Sequence, residues 1–94
     1  MENLANLLTS PPILAHPNWN DPLRLHTDTS EIGAGEVLAQ VQEGIEKTLT
    51  YASHRFSETD ARNSPTDREY LAVLWAIDTF ASYLQARPFT LITN

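Results

Sequence analysis

The sequence predicts a mixed α/β (α+β) domain: an antiparallel three-strand meander, one long helix, then a parallel fourth strand. Three observations predict it. Leu23 to Asp28 alternates apolar and polar side chains as a half-buried strand does, and two more strand-like stretches follow with short connections. Pro65 to Leu84 carries apolar residues at helical spacing behind Ser64-Pro65, a favourable N-cap followed by proline in the first turn. Phe89 to Thr93 (FTLIT) then supplies a strand, and a strand–helix–strand crossover normally returns parallel to the sheet it left.

Taken in order, residues 1–22 read as an N-terminal connecting segment. Leu4, Leu7 and Leu8 stand at helical spacing, Pro11-Pro12 ends that turn, and Ile13-Leu14-Ala15 is a short extended apolar piece. NWNDP at 18–22 is turn-rich, with Trp19 expected to anchor the loop on the core. The domain proper runs from 23 to 94. In its first strand Leu23, Leu25 and Thr27 share one face, with Arg24, His26 and Asp28 on the other. Gly33 and Gly35 suit a turn or a close backbone approach, and Val37 to Gln42 is the second strand. Glu43-Gly44 turns the chain into a third strand, Lys47 to Ser53, rich in threonine and tyrosine. Residues 54–64 read as a polar loop before the helix.

The bulk numbers bound the function. Ninety-four residues make one domain, and 41% hydrophobic residues allow a modest core. A net charge of −6 gives no footprint for autonomous binding to a phosphate backbone. The chain has no cysteine, so it has neither a thiol nucleophile nor a thiolate metal site. His16, His26 and His54 are too scattered for a zinc pattern. No apolar run is long enough to span a membrane and no targeting signal is evident, so an intracellular protein, cytoplasmic or nuclear, is expected.

Two acids draw attention. Asp28 stands where the first strand ends, which also suits an ordinary Asx turn. With Glu69 as the zero of a helical wheel at about 100° per residue, Val73, Ala76, Ile77 and Phe80 lie within roughly 80° of it. Glu69 therefore opens the stripe expected to face the sheet, while Leu71 and Trp75 are expected to point away from it. A carboxylate there is costly unless paired, hydrogen-bonded or bound to a cation. Thr66-Asp67-Arg68-Glu69 is also a T-x-x-E capping box, which would explain Glu69 without chemistry. Local pattern leaves both readings open.

A series of motifs weighs on the choice. Leu7-Leu8-Thr9-Ser10-Pro11-Pro12-Ile13-Leu14, His26-Thr27-Asp28-Thr29-Ser30, Gly33-x-Gly35-x-Val37-Leu38-x-Gln40 and Tyr51-Ala52-Ser53-x-x-Phe56-Ser57 come first. Asn63-Ser64, Arg68-Glu69-x-Leu71-Ala72-Val73-x-Trp75-Ala76 and Tyr83-Leu84-x-x-Arg87-x-Phe89-Thr90-Leu91-Ile92-Thr93 follow. Each is weak alone; in this order, over residues 7 to 94, they resemble the ribonuclease H-like domain of gypsy-type retrotransposon and retroviral reverse transcriptase polyproteins. The resemblance implies an RNase H-like fold and, in the intact family, hydrolysis of the RNA strand of an RNA–DNA hybrid by two divalent ions, Mg²⁺ or Mn²⁺. It makes Asp28 the first-strand metal ligand and Glu69 the acid on the first helix.

The resemblance also has gaps. The third family acid falls at Asn94, a neutral amide and a poorer ligand for a hard cation. The fourth lies beyond the segment, so the domain is truncated relative to the full fold. The expectation is a chain whose ancestors were endonucleases, with weak metal binding and no hydrolase activity of its own. It is either a piece of a polyprotein, completed by the parent reverse transcriptase segments, or a retained relic. The alternative is a non-enzymatic protein-interaction module, as a homodimer or with a protein partner, because an open strand edge and an outward Trp75 would favour association.

Overall fold

A computed structural model describes residues 11–85 and 87–93. The N-terminal turn read from Leu4, Leu7 and Leu8 lies outside the described residues, as does Asn94. The meander consists of β1 (Leu23–Thr29), β2 (Gly33–Gln42) and β3 (Ile45–Arg55). Helices α1 (Glu58–Ala61), α2 (Pro65–Thr79) and α3 (Ala81–Leu84) follow, and β4 (Phe89–Thr93) closes the order. The sheet runs β3-β2-β1-β4, antiparallel except for the parallel β1–β4 pair. The expected class and strand directions hold.

The alternation in β1 decides which face is buried. Leu23, Leu25 and Thr27 are buried, and their β2 partners Gln40, Leu38 and Glu36 are buried on the same side. Leu49, Ala76, Phe80 and Leu84 complete the main core with Leu23, Leu25 and Leu38. A smaller cluster of Ala34, Phe56 and Ala72, flanked by Trp75, closes the other end. Two alanines on α2 let it lie close over β1 and β2.

Several expectations need correction. Gly33 and Gly35 belong to β2; they are not the turn. Ser30 to Ile32 makes that connection, with Ser30 N–H donating to the Gly33 carbonyl at 2.9 Å. Gly33 is needed for close approach, because a Cβ there would collide with the His54 carbonyl oxygen. The turn at Glu43-Gly44 holds, with φ of 55° and 79° at the two positions. The helix expected over 65–84 breaks at Phe80, whose φ −103° and ψ 21° leave the helical basin while its ring fills the core.

The buried stripe of α2 is also rotated from the expected one. Ala72, Ala76 and Phe80 are buried, whereas Ile77 is 40% exposed. Trp75 is not an outward residue: its ring lies 4.9 Å from that of His54 and 5.5 Å from that of Phe56. On the Trp75 flank α2 finds His54 of β3 and Phe56 as partners, while Leu74 and Ile77 stay exposed. Trp19 does not anchor on the core either. It is 71% exposed, and the Arg87 guanidinium stacks on its ring at 3.4 Å.

The connecting segment is tied down by the sheet. Leu14 N–H donates to the Leu49 carbonyl at 2.8 Å, and Ala15 packs on the main core.

Candidate functional site

Asp28 is the penultimate residue of β1, opposite Gly35 of β2, and exposed. Strand alternation puts it with Arg24 and His26 on the face away from α2. On that face Glu46 accepts from Arg24 Nη1 at 2.8 Å, and its other oxygen lies 3.3 Å from His26 Nε2. The Arg24 guanidinium holds the exposed Glu46 carboxyl below the usual carboxylate range.

Glu69 is exposed in the second turn of α2. The capping box does not form, because the N-cap is Ser64. Its Oγ accepts from Asp67 N–H at 3.2 Å, and Thr66 is already inside the helix. Arg68 fixes this end, donating from Nη1 to the carbonyls of Asn63 at 2.6 Å and Ala61 at 3.2 Å.

Both acids stand at the same end of the fold. Ala72, one turn after Glu69, packs against Ala34, and Ala34 pairs with Thr29, the residue after Asp28. At that end β4 also runs out, since Thr93 is level with Thr27 in the parallel pair. Asn94, the third acid position of the resemblance, lies outside the described residues. An open cavity of about 430 Å³ touches this end, lined among others by Asp28, Ser30, Gly33, His54 and Arg55.

Residues 1–91 match the family described as "RNase H-like domain found in reverse transcriptase". The chain belongs to that family. Relatives of the domain include the retrovirus-related Pol polyprotein from transposon opus of Drosophila melanogaster, 33% identical over 87% of this chain and 8% of that protein. The Pol polyprotein from transposon 412 of the same fly is 32% identical over 98% of this chain and 7% of its own length. The Tf2-3 polyprotein of Schizosaccharomyces pombe is 30% identical, covering 100% and 7%. The chain thus spans less than a tenth of the length of these relatives. Among solved structures, a foamy viral protease-reverse transcriptase in complex with double-stranded DNA matches 85% of this RNase H-like chain and 14% of its own. Its TM-score is 0.73 and its identity 19%. The same enzyme with an RNA/DNA hybrid gives 0.63 at 19% identity, over 78% and 10%. At that identity the likeness speaks for the fold.

The RNase H-like family works with divalent metal. Asp28 and Glu69 offer the hard oxygen donors such an ion prefers. Two carboxylates do not complete a site, and no group of three or more metal-binding side chains comes together among the described residues. No hydrolytic step is assigned to them on this geometry.

One acid escaped the sequence reading. Glu36 is buried on the helix-facing side of β2, its side chain fully shielded, and Oε1 lies 2.9 Å from His54 Nε2. Burial raises its pKa to about 8. Burial also lowers that of His54. The signal was in the pattern: Ala34, Glu36, Leu38 and Gln40 share a face, and Leu38 marks that face as core.

Proposed function

We propose that this chain is the N-terminal part of the RNase H-like domain of a retroelement Pol polyprotein, from a lineage that hydrolyses the RNA strand of RNA–DNA hybrids. Asp28 and Glu69 are its metal-binding acids, for Mg²⁺ or Mn²⁺. When bound, such ions supply an activated water and neutralise charge on the leaving oxygen. This chain's share is to bring two exposed carboxylates to the end of the sheet where β1 and β4 both run out. That shared end is the observation that carries the reading.

The isolated chain does not cleave hybrids on this account. Asn94 stands at the third acid position, and a charge of −6 repels the substrate backbone. The rest of the polyprotein supplies the missing acid and the hybrid-binding surface. The test compares hybrid cleavage by this chain and by a longer polyprotein containing it, each with and without Asp28→Asn. Cleavage by the longer protein alone, abolished by the substitution, supports the reading. Cleavage by the longer protein that survives Asp28→Asn contradicts the assignment of Asp28.

A second reading, a module that binds protein, has its own observation. Strand β4 pairs only with β1 among the described residues, and its Phe89 and Leu91 are 37% and 43% exposed. A strand edge carrying apolar side chains favours a further strand, from the parent polyprotein or a second copy.

A further inference from the structure

Glu36 is the least expected residue in the fold. Its carboxylate sits in the interior, both oxygens and His54 Nε2 lacking a hydrogen bond of ordinary geometry, though Oε1 and Nε2 are only 2.9 Å apart. An acid and an imidazole at that distance need a proton between them. Three arrangements supply it: a carboxylate facing an imidazolium, a carboxylate accepting from Nε2–H of a neutral imidazole, or a neutral acid whose O–H donates to a neutral ring nitrogen. The last leaves no charge to desolvate on the fully shielded Glu36 side chain.

We propose that Glu36 and His54 form a proton-holding latch, in which the neutral Glu36 acid donates its O–H to Nε2 of neutral His54 and Trp75 of α2 closes over the imidazole. His54 then carries its own hydrogen on Nδ1. The latch joins β2 and β3 to the helix that bears Glu69, and its strength depends on pH.

The surroundings support this protonation. On the latch face β1 presents Thr27, β2 presents Ala34 and Leu38, and β3 presents Thr50 and Ala52, none of them titratable. From α2 come Ala72 and Trp75, while Arg68 is engaged by two backbone carbonyls and Glu69 is exposed. His26, Asp28 and Tyr51 belong by alternation to the opposite face of the sheet. Arg68 Nε is buried without a partner of its own, but among the described residues the ion-pair partner of Glu36 is His54 and no lysine or arginine. Burial accordingly pushes the acid up to about 8 and the imidazole down.

The sign of the pH effect follows. Glu36 binds its proton more tightly folded than unfolded, so it favours the fold at low pH and that contribution fades as pH rises to about 8. His54 binds its proton less tightly folded, so its contribution is present above its ordinary value of 6.5 and is lost as pH falls. Below 6.5 the two oppose each other. From 6.5 to about 8 Glu36 acts alone, and the folding equilibrium weakens by up to about tenfold per pH unit.

The test uses the full 94-residue chain. Imidazole nitrogen NMR at pH 7 should show His54 neutral, with Nε2 as the unprotonated, hydrogen-bonded nitrogen; an imidazolium, or a neutral ring protonated on Nε2, overturns the proposal. Urea unfolding from pH 6.5 to 8, followed by Trp75 emission in a Trp19→Phe background, should show stability falling with pH. Glu36→Gln keeps a donor for Nε2 and removes the titration, so that slope should flatten. An unchanged slope in Glu36→Gln overturns the proposal, and if the variant does not fold the imidazole spectrum of the parent chain still decides.

Discussion

Gln40 and Asn18 are bonded in both directions: Gln40 Oε1 accepts from Asn18 N–H at 2.7 Å, and Gln40 Nε2 donates to the Asn18 carbonyl at 2.8 Å. The same Nε2 reaches the Asp21 carbonyl at 2.8 Å, and Gln42 Nε2 donates to Oε1 at 2.7 Å. A fully buried amide thus fixes the turn that delivers the chain into β1. Gln40→Leu strands the loop's backbone groups, and we expect a loss of about 2 kcal/mol, from the cost of leaving buried polar groups unpaired. Urea unfolding measures the loss, and faster hydrogen exchange at Asn18 locates it.

Gly33 stands where β2 and β3 come closest. Gly33→Ala drives a methyl into the His54 carbonyl, which belongs to a strand and cannot swing away. We expect a loss of about 2 kcal/mol, in the range for overpacking. Gly35, with open space around its Cβ position, provides the control: Gly35→Ala should cost well under half as much in the same unfolding experiment.

Strand alternation, the Ser64-Pro65 start and the order of elements were legible in the sequence, because each depends on near neighbours along the chain. What the sequence hid depends on the far side of a contact. The helical wheel centred the buried stripe on Glu69, whereas α2 turns toward Trp75 because β3 lies under that flank. The glycines at 33 and 35 resemble a turn until His54 is seen beside one of them. The family series singles out Asp28 and Glu69 as candidates, while the capping role that Thr66-x-x-Glu69 offered falls to Ser64. Glu36 stands between Gly35 and Val37 in a stretch that reads as glycine-rich, yet alternation alone puts it on the core face.

Trp75→Ala tests the corrected orientation of α2. The ring contacts His54 and Phe56, so its loss should lower stability by about 2–3 kcal/mol, somewhat under the cost of truncating a fully buried aromatic. Thermal unfolding reads the change. An outward-facing Trp75 would leave stability nearly unaltered.

Among the described residues β4 is an edge strand of the sheet, and its Phe89 and Leu91 are exposed apolar side chains. Self-association at tens of micromolar, if it occurs through this edge, should be abolished by Leu91→Lys with the fold intact, since a charge on an edge strand discourages pairing. Sedimentation velocity compares the two proteins directly; association that persists in Leu91→Lys places the contact elsewhere.

The central claim is that Asp28 and Glu69 are the two acids of one inherited cation site at the end of the sheet. Paramagnetic broadening by Mn²⁺ in the amide spectrum of the 94-residue chain tests it most directly. The account predicts that amides around Asp28 and around Glu69 broaden together at a common affinity on the order of millimolar or weaker, as two carboxylates allow, and that Asp28→Asn removes both effects. Broadening confined to one of the two, or centred on other acids and untouched by Asp28→Asn, would contradict it.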